Sequence, residues 1–347
     1  MNELTLTRPD DWHLHLRDGA PMRDIVAHSA HQVRRAIIMP NLRPPVTTAE
    51  LAGAYRQRIL DALPPGSDFQ PLMTLYLTDK LAPQEIARAR QAGVAAVKLY
   101  PAGATTNSDA GVTDIARVMP TLEAMQREGL PLLVHGEVTD PSVDVFDREA
   151  VFIDKVLAPL RRSMPELRIV MEHLTTREAV QYVRDAASRG EPMGATITPQ
   201  HLLYNRNALF LGGLRPHYYC LPVLKREEHR VALVEAATSG HESFFMGTDS
   251  APHPAHLKEH PLGCAGCYTA LSALEFYAEV FEAANALDRL EAFTSLNGPR
   301  FYRLPPNPGR VTLRRQPWTL PERVPFGEAE LKPLRGGETL AWKLVDD

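Results

Sequence analysis

The sequence has few cysteines, no long apolar run and no excess of basic residues, and each absence excludes a class of protein. Its three cysteines, Cys220, Cys264 and Cys267, are too few and too unevenly spaced for a disulfide framework. No apolar run approaches the length that spans a bilayer, and the first residues lack the basic start and apolar core of a signal peptide. We therefore expect a cytoplasmic protein with no membrane partner.

The charge balance gives no indication of nucleic-acid binding. The 38 Lys and Arg residues against 42 Asp and Glu give a net charge of −4 and a pI near 6.4. Nucleic-acid-binding domains usually carry a basic patch or a strongly basic pI. We expect a small-molecule substrate and no nucleic-acid partner.

Cys264 and Cys267 form a single CxxC motif, for which three interpretations are open. A redox-active pair or half of a structural zinc site would both use this spacing. The motif has no second CxxC and no thioredoxin-like context, so we favour two small thiols in a Gly-rich loop.

Apolar runs alternate with amphipathic, helix-like stretches from Leu4 to about Pro299. Near-continuous apolarity is typical of parallel strands that are buried on both faces. The sequence lacks the GxGxxG fingerprint that would indicate a doubly wound sheet. The pattern predicts an α/β fold, a (β/α)₈ TIM barrel over residues 1–304, with a short C-terminal extension over 305–347 packed on it. The first predicted strand starts at residue 4 and continues into the stretch 11–18. The other seven predicted strands are 35–39, 71–77, 95–100, 130–134, 167–171, 194–198 and 243–247.

Metal-binding side chains stand at the ends of several predicted strands. His13 and His15 are two residues apart on the first strand, so their imidazoles share one face. The fifth strand ends in His135, the sixth in His173 and the eighth in Asp249. Because the carboxyl ends of barrel strands meet at one rim, these five side chains predict a metal centre, and zinc is the metal that such imidazoles most often bind.

Lys98 is unusual because it lies inside an apolar strand, where a charged amine is costly. Its stem could reach solvent, or it could form an ion pair with a neighbour such as Glu137. A third interpretation is that the neutral amine adds carbon dioxide and becomes a carbamate that bridges two metals. Four histidines and one aspartate are too many for one tetrahedral site but suit two metals that share a bridge.

These residues belong to longer blocks that resemble the amidohydrolase superfamily and, within it, the dihydroorotases of the short bacterial type. The resemblance implies a TIM barrel of the metal-dependent hydrolase type and a homodimer. It also implies reversible interconversion of (S)-dihydroorotate plus water and N-carbamoyl-L-aspartate in pyrimidine biosynthesis. The matching blocks, in order, are 8–18, 39–48, 98–101, 134–137, 197–201, 219–225, 247–253 and 295–299.

The resemblance further implies two zinc ions per chain. His13, His15 and Asp249 would hold one, and His135 and His173 the other. Lys98, as N6-carboxylysine, would bridge them together with a hydroxide. That hydroxide would attack the ring amide carbonyl, and Asp249 would be the catalytic residue that shuttles its proton.

Substrate binding is also implied by the resemblance. Residues Arg17, Asn41 and His253 would bind the substrate carboxylate, and the main chain near Leu221 and Ala265 would meet the ring amide. Thr105 and Thr106 resemble a loop that closes over the substrate.

Two other functions stay open at this point. A hydantoinase-like enzyme would use the same metals on a different cyclic amide, but Arg17, Asn41 and His253 suit a substrate with a free carboxylate. A catalytically silent subunit that only scaffolds an assembly predicts missing ligands, and all six candidates are present.

Overall fold

Eight parallel strands form a barrel in the computed structural model, which describes residues 2–345. The barrel strands pair in sequence order, each with the next. The ends of the sheet meet where Asp249 N donates to His13 O at 2.9 Å and His15 N donates to Ser250 O at 3.2 Å. The predicted TIM barrel is confirmed. The strands are β1 (Glu3–Thr7), β2 (Asp10–Leu14), β3 (Arg35–Ile38), β4 (Gln70–Leu77), β5 (Ala96–Leu99), β6 (Leu132–His135), β7 (Ile169–Glu172), β8 (Met193–Ile197), β9 (Phe244–Met246), β10 (Arg310–Thr319), β11 (Val324–Phe326), β12 (Ala329–Leu331) and β13 (Thr339–Val345).

Helices follow the barrel strands and cover their outer face. Thr48 and Thr176 cap two of them, since each side chain accepts a hydrogen bond from a main-chain N–H in the first turn. Short 3₁₀ segments and two π-helical turns, Ile153–Leu157 and Ala292–Leu296, complete the connections. The helices are α1 (Ala20–Gln32), α2 (Ala49–Ala62), α3 (Pro83–Gln91), α4 (Met119–Glu128), α5 (Arg148–Phe152), α6 (Ala158–Ser163), α7 (Arg177–Ser188), α8 (Pro199–Leu203), α9 (Glu227–Thr238), α10 (Ala255–Lys258), α11 (Ala273–Ala283) and α12 (Asn297–Tyr302).

The N-terminal strand differs from the prediction of one strand that continues into the histidines. The strand is interrupted at Arg8 and Pro9, because proline has no N–H to donate and restricts the backbone of the residue before it. β1 pairs antiparallel with β10, which also pairs with β13, so it lies outside the barrel. The division into a barrel of 1–304 and an extension of 305–347 stays a prediction, and this small sheet draws strands from both parts.

Large apolar side chains fill the amino-terminal half of the barrel interior. Trp12 stacks on Tyr302 with ring centroids 4.2 Å apart, and Phe245 packs edge-on against Trp12. α12 lies directly against this cluster, since a Cβ on Gly298 would lie 1.8 Å from the indole nitrogen of Trp12. The interior is therefore packed at one end, which leaves the polar strand ends exposed to a pocket at the other.

Within residues 2–345 no helix is both long and apolar enough to span a membrane.

Candidate metal centre and substrate pocket

The side chains of His13, His15 and Asp249 converge at the carboxyl rim of the barrel. His13 Nε2 lies 3.3 Å from His15 Nε2 and 3.3 Å from Asp249 Oδ1, and His15 Nε2 lies 3.2 Å from the same carboxylate oxygen. His13 lies on β2, His15 follows β2, and Asp249 follows β9. Hydrogen bonds between these two segments close the barrel. The first predicted ligand group is thus brought together by the fold.

This triangle fits a zinc ion. Ligand atoms about 2 Å from a tetrahedral zinc are about 3.3 Å from one another. The three separations, 3.2 to 3.3 Å, match that spacing, and the donor set of two imidazoles and one carboxylate is one that zinc prefers.

The second group gathers around Lys98, which is fully buried. The rings of His135 and His173 lie 4.8 Å apart, and the ring of His173 lies 5.0 Å from that of His13. Lys98 Nζ contacts the carboxylate of Glu172, so its ion-pair partner is Glu172 and not Glu137. The interpretation of a lysine that reaches solvent is therefore wrong.

Two carboxylates lie close to ring nitrogens of two predicted histidine ligands. Glu172 Oε1 lies 3.1 Å from His13 Nδ1, on the side of the ring away from His15 and Asp249. Glu137 Oε2 lies 2.7 Å from His135 Nε2. A carboxylate behind a ligating histidine fixes its tautomer and ring orientation, which is a common arrangement at metal sites.

Burial and neighbouring charges set the protonation of this cluster. Burial lowers the pKa of His15 to about 4 and that of His173 well below its usual value. Burial opposes a charge on His13 too, but Glu172 and Asp249 outweigh it and raise the pKa of His13 to about 9. Burial would raise the pKa of Asp249, yet His13 holds it well below its usual value. Carboxylates that stabilise a cation on His13 would also stabilise a metal dication beside it.

The backbone is left-handed at three of these strand ends. Arg17, His173 and Asp249 have φ values of 59°, 43° and 46°. Non-glycine residues rarely adopt this conformation, and when they do they often lie at functional sites.

Most of the predicted substrate and loop residues line one cavity, together with the four histidines and Asp249 of the metal cluster. Arg17 Nε donates to Pro252 O at 3.0 Å, and its Nη2 donates to His253 Nε2 at 2.9 Å. His253 thus contacts Arg17 but is not among the residues that line the cavity. Its burial lowers its pKa to about 2, so the imidazole is neutral near pH 7. The predicted substrate and loop residues that line the cavity are Arg17, Asn41, Thr105, Thr106, Leu221 and Ala265.

The loop after β5 covers this cavity. Asn41 Nδ2 donates to Thr106 O at 3.0 Å, and Asn107 Nδ2 donates to Asn41 O at the same distance. The hydroxyl of Thr106 lies 3.5 Å from Ala265 O across the cavity. The structure therefore places Thr105 and Thr106 where a lid would lie.

Three residues of this site were not predicted as site residues from the sequence. Asp11 accepts hydrogen bonds from the main-chain N–H of His13 and Thr248, and thereby fixes the strand pairing that presents His13. Glu172 contacts Lys98 and His13, and Tyr100 lines the cavity. A polar residue inside an apolar strand, the signal that singled out Lys98, would have identified Glu172.

Comparison with known proteins agrees with this geometry. The amidohydrolase family model matches residues 10–318. A dihydroorotase of Variovorax paradoxus is 70% identical over 342 residues, which is 99% of each chain. The chain belongs to the amidohydrolase family, in its dihydroorotase branch.

Solved structures place this family member near two dihydroorotases. One, from Campylobacter jejuni, is 38% identical with a TM-score of 0.91 and covers 99% of this chain and 98% of its own. Another, from Saccharomyces cerevisiae in complex with 5-fluoroorotic acid, is 33% identical with a TM-score of 0.92 and covers 99% of both chains. The predicted family, fold and enzyme class are confirmed.

Proposed function

We propose that the protein is a zinc-dependent dihydroorotase that interconverts (S)-dihydroorotate plus water and N-carbamoyl-L-aspartate in pyrimidine biosynthesis. The observation that supports it best is the arrangement of one pocket. Its floor holds four histidines and Asp249, and its wall holds Arg17. Membership of the family indicates hydrolysis of a cyclic amide. Arg17 in the wall of the pocket indicates a substrate that carries a carboxylate.

Zinc would be held by His13, His15 and Asp249 on one side and by His135 and His173 on the other. When bound, it would lower the pKa of a coordinated water towards neutrality and polarise the amide carbonyl. The first group fits this role, because its ligand atoms have tetrahedral spacing, and carboxylates lie beside His13 and His135.

Lys98 would connect the two groups as a carbamate. Its amine nitrogen forms a bond to the carbon of carbon dioxide and releases one proton, which leaves an anion with two oxygen atoms. Burial lowers the pKa of Lys98, although Glu172 opposes this, and the neutral amine is the form that reacts. The depth of Lys98 in the barrel excludes bulk water from the product.

Asp249 would act as the proton shuttle. Its carboxylate takes the proton of the attacking water and passes it to the amide nitrogen as the ring opens, so a general base becomes a general acid. In the metal-free protein His13 holds the pKa of Asp249 well below its usual value, and a zinc ion at the same place would also keep the carboxylate ionised.

Arg17 would orient the substrate. Two of its N–H groups are already used by Pro252 and His253, which fix the plane of the guanidinium, and the others remain for the substrate carboxylate. Asn41 and the main chain at Leu221 and Ala265 line the same wall and would hold the carboxylate and the ring amide.

The first test is turnover with and without metal. We expect the zinc-loaded protein to open dihydroorotate, to lose this activity after chelation and to regain it when zinc is returned. Hydantoin, which lacks the carboxylate, is the control substrate and should react far more slowly. A zinc-loaded protein that opens hydantoin and leaves dihydroorotate intact would instead assign the hydantoinase-like function.

A second prediction concerns Arg17→Lys. Lysine keeps the charge but loses the planar fork, so we expect KM for dihydroorotate to rise about 10- to 100-fold with a smaller change in kcat. Arg58→Lys is the matched control. Arg58 donates two hydrogen bonds to the carboxylate of Asp18, as we propose that Arg17 does to the substrate carboxylate, but Arg58 does not line the cavity. Steady-state kinetics of both variants decide it, and an unchanged KM in Arg17→Lys would contradict the proposed carboxylate site.

Three further expectations from the sequence stay proposals: a homodimer, a cytoplasmic location and no nucleic-acid partner. Sedimentation of the purified protein tests the first of these directly.

A further inference from the structure

Tyr100 is a buried residue of the pocket whose hydroxyl has no hydrogen-bond partner within residues 2–345. It follows directly after β5, two positions beyond Lys98, so the two side chains share the interior face of the barrel. Its ring lies 4.8 Å from Lys98 Nζ and 6.2 Å from the ring of His135. It therefore borders the metal cluster at the start of the loop that covers the cavity.

An unpartnered hydroxyl at such a place needs a physical explanation. Buried polar groups are almost always hydrogen-bonded, because a donor taken out of water without a partner is destabilising. A phenylalanine would fill the same volume at no such cost. Tyr100 also lines the cavity, whose other lining residues include all the predicted histidine ligands, Asp249 and Arg17.

We propose that the Tyr100 hydroxyl donates a hydrogen bond to an anionic oxygen of the bound substrate, and that Tyr100 is a further catalytic residue of this site. This rests on the proposed dihydroorotase function. The acceptor is either the substrate carboxylate or the oxygen of the reacting carbonyl, which becomes negative as water adds. Both are oxygen anions that a neutral phenol can serve as donor, and a phenol stays protonated near pH 7.

The fold supplies a matched control in Tyr302. Its hydroxyl is also buried and without a hydrogen-bond partner among residues 2–345, but its ring stacks on Trp12 at the packed end of the barrel. Tyr302→Phe and Tyr100→Phe therefore remove the same group from two buried sites, of which only one borders the cavity. Neither change alters the packing volume of the ring.

The test compares Tyr100→Phe and Tyr302→Phe in the zinc-loaded protein. We expect kcat/KM for dihydroorotate to fall about 10- to 100-fold in Tyr100→Phe and to stay near the wild-type value in Tyr302→Phe. Both variants should melt at or above the wild-type temperature, since each loses an unpaired buried hydroxyl. Lower activity with equal or higher stability is a result that a purely structural role would not give.

The two possible acceptors are distinguished by whether the loss of kcat/KM in Tyr100→Phe comes from a higher KM or from a lower kcat. A contact to the carboxylate exists in the ground state, so it would raise KM and weaken binding of 5-fluoroorotic acid, measured by thermal shift, by the same factor. A contact to the developing oxyanion would lower kcat and leave that binding unchanged.

Equal kcat/KM in wild type, Tyr100→Phe and Tyr302→Phe would overturn the proposal. So would an equal loss in both variants, because that would indicate a general effect of losing a buried hydroxyl. A wild-type protein that is zinc-loaded but inert towards dihydroorotate is a different result, which overturns the proposed function.

Discussion

Replacing Lys98 with alanine is expected to abolish dihydroorotate turnover, with a fall in kcat on the order of 1,000-fold or more. Alanine cannot form a carbamate, so the two ligand groups would lose the anion that connects them. We also expect zinc to fall from about two ions per chain to one or fewer in this variant.

The physical reason lies in charge. Lys98 is buried against Glu172, which also lies beside His13, and near His173, so as an ammonium it would repel metal cations held there. As a carbamate it carries the opposite charge and two donor oxygens. Its removal therefore takes away a ligand, whereas removal of an ordinary buried lysine would take away only packing and an ion pair.

Metal content and native mass of the wild type and of Lys98→Ala provide the measurement. Rescue of Lys98→Ala by an added short-chain carboxylate, which can enter the space that alanine leaves, would identify the missing group as an anion. Lys225→Met is the matched control, because Lys225 is also buried, donates to Val223 O at 2.9 Å and does not line the cavity. An active Lys98→Ala variant with an unchanged metal content would remove the bridged pair from the mechanism.

The ligand residues could be predicted from the sequence because barrel topology brings strand ends together. His13, His135, His173 and Asp249 each end an apolar run, and the rule that parallel strands share one rim is sufficient to collect them. Lys98 stood out for the same kind of reason, as a charge inside an apolar strand.

Glu172 carries the same signal as Lys98, a polar residue in an apolar strand, but it was missed because its neighbour His173 was predicted to be the ligand. Neighbouring residues on a strand point to opposite faces, so a ligand at His173 would turn Glu172 away from the site. The left-handed backbone at His173, with φ of 43°, ends this alternation, and both side chains reach the cluster. A local conformation of this kind has no signature in the hydrophobic pattern.

The place of β1 outside the barrel and the position of the covering loop were hidden for related reasons. Pro9 ends β1 for a local reason, but the antiparallel partner of β1 is β10, about 300 positions away in the chain. Thr105 and Thr106 lie in a segment without periodicity, so only the family resemblance indicated them. Contacts between distant segments decide both features, and single-sequence patterns do not encode such contacts.

Asp249→Asn is the second variant with a large expected effect, a fall in kcat on the order of 1,000-fold. Asparagine keeps the size and one oxygen of the side chain but cannot accept the proton of the attacking water. Its oxygen can still lie near His13 and His15, so we expect the fold to persist and zinc affinity to weaken rather than vanish. The main loss should therefore be in kcat measured at saturating zinc.

The pH dependence of the wild type gives an independent check on Asp249. Burial alone would raise its pKa, but the proton on His13 outweighs burial in the metal-free protein and holds the pKa well below the usual value for aspartate; bound zinc would supply the same positive charge. A carboxylate with a lowered pKa stays ionised down to low pH, so the acid limb of kcat should follow protonation of the coordinated water near neutrality and show no second step in the usual aspartate range.

Glu149→Gln is the control for this variant, since Glu149 is an equally buried carboxylate that accepts hydrogen bonds from Thr175 and Thr176 outside the cavity. It should keep the wild-type kcat and acid limb even if its melting temperature falls. An Asp249→Asn enzyme with near wild-type kcat would show that another group moves the proton. His253 would not be that group, because burial lowers its pKa to about 2 and leaves it a weak base.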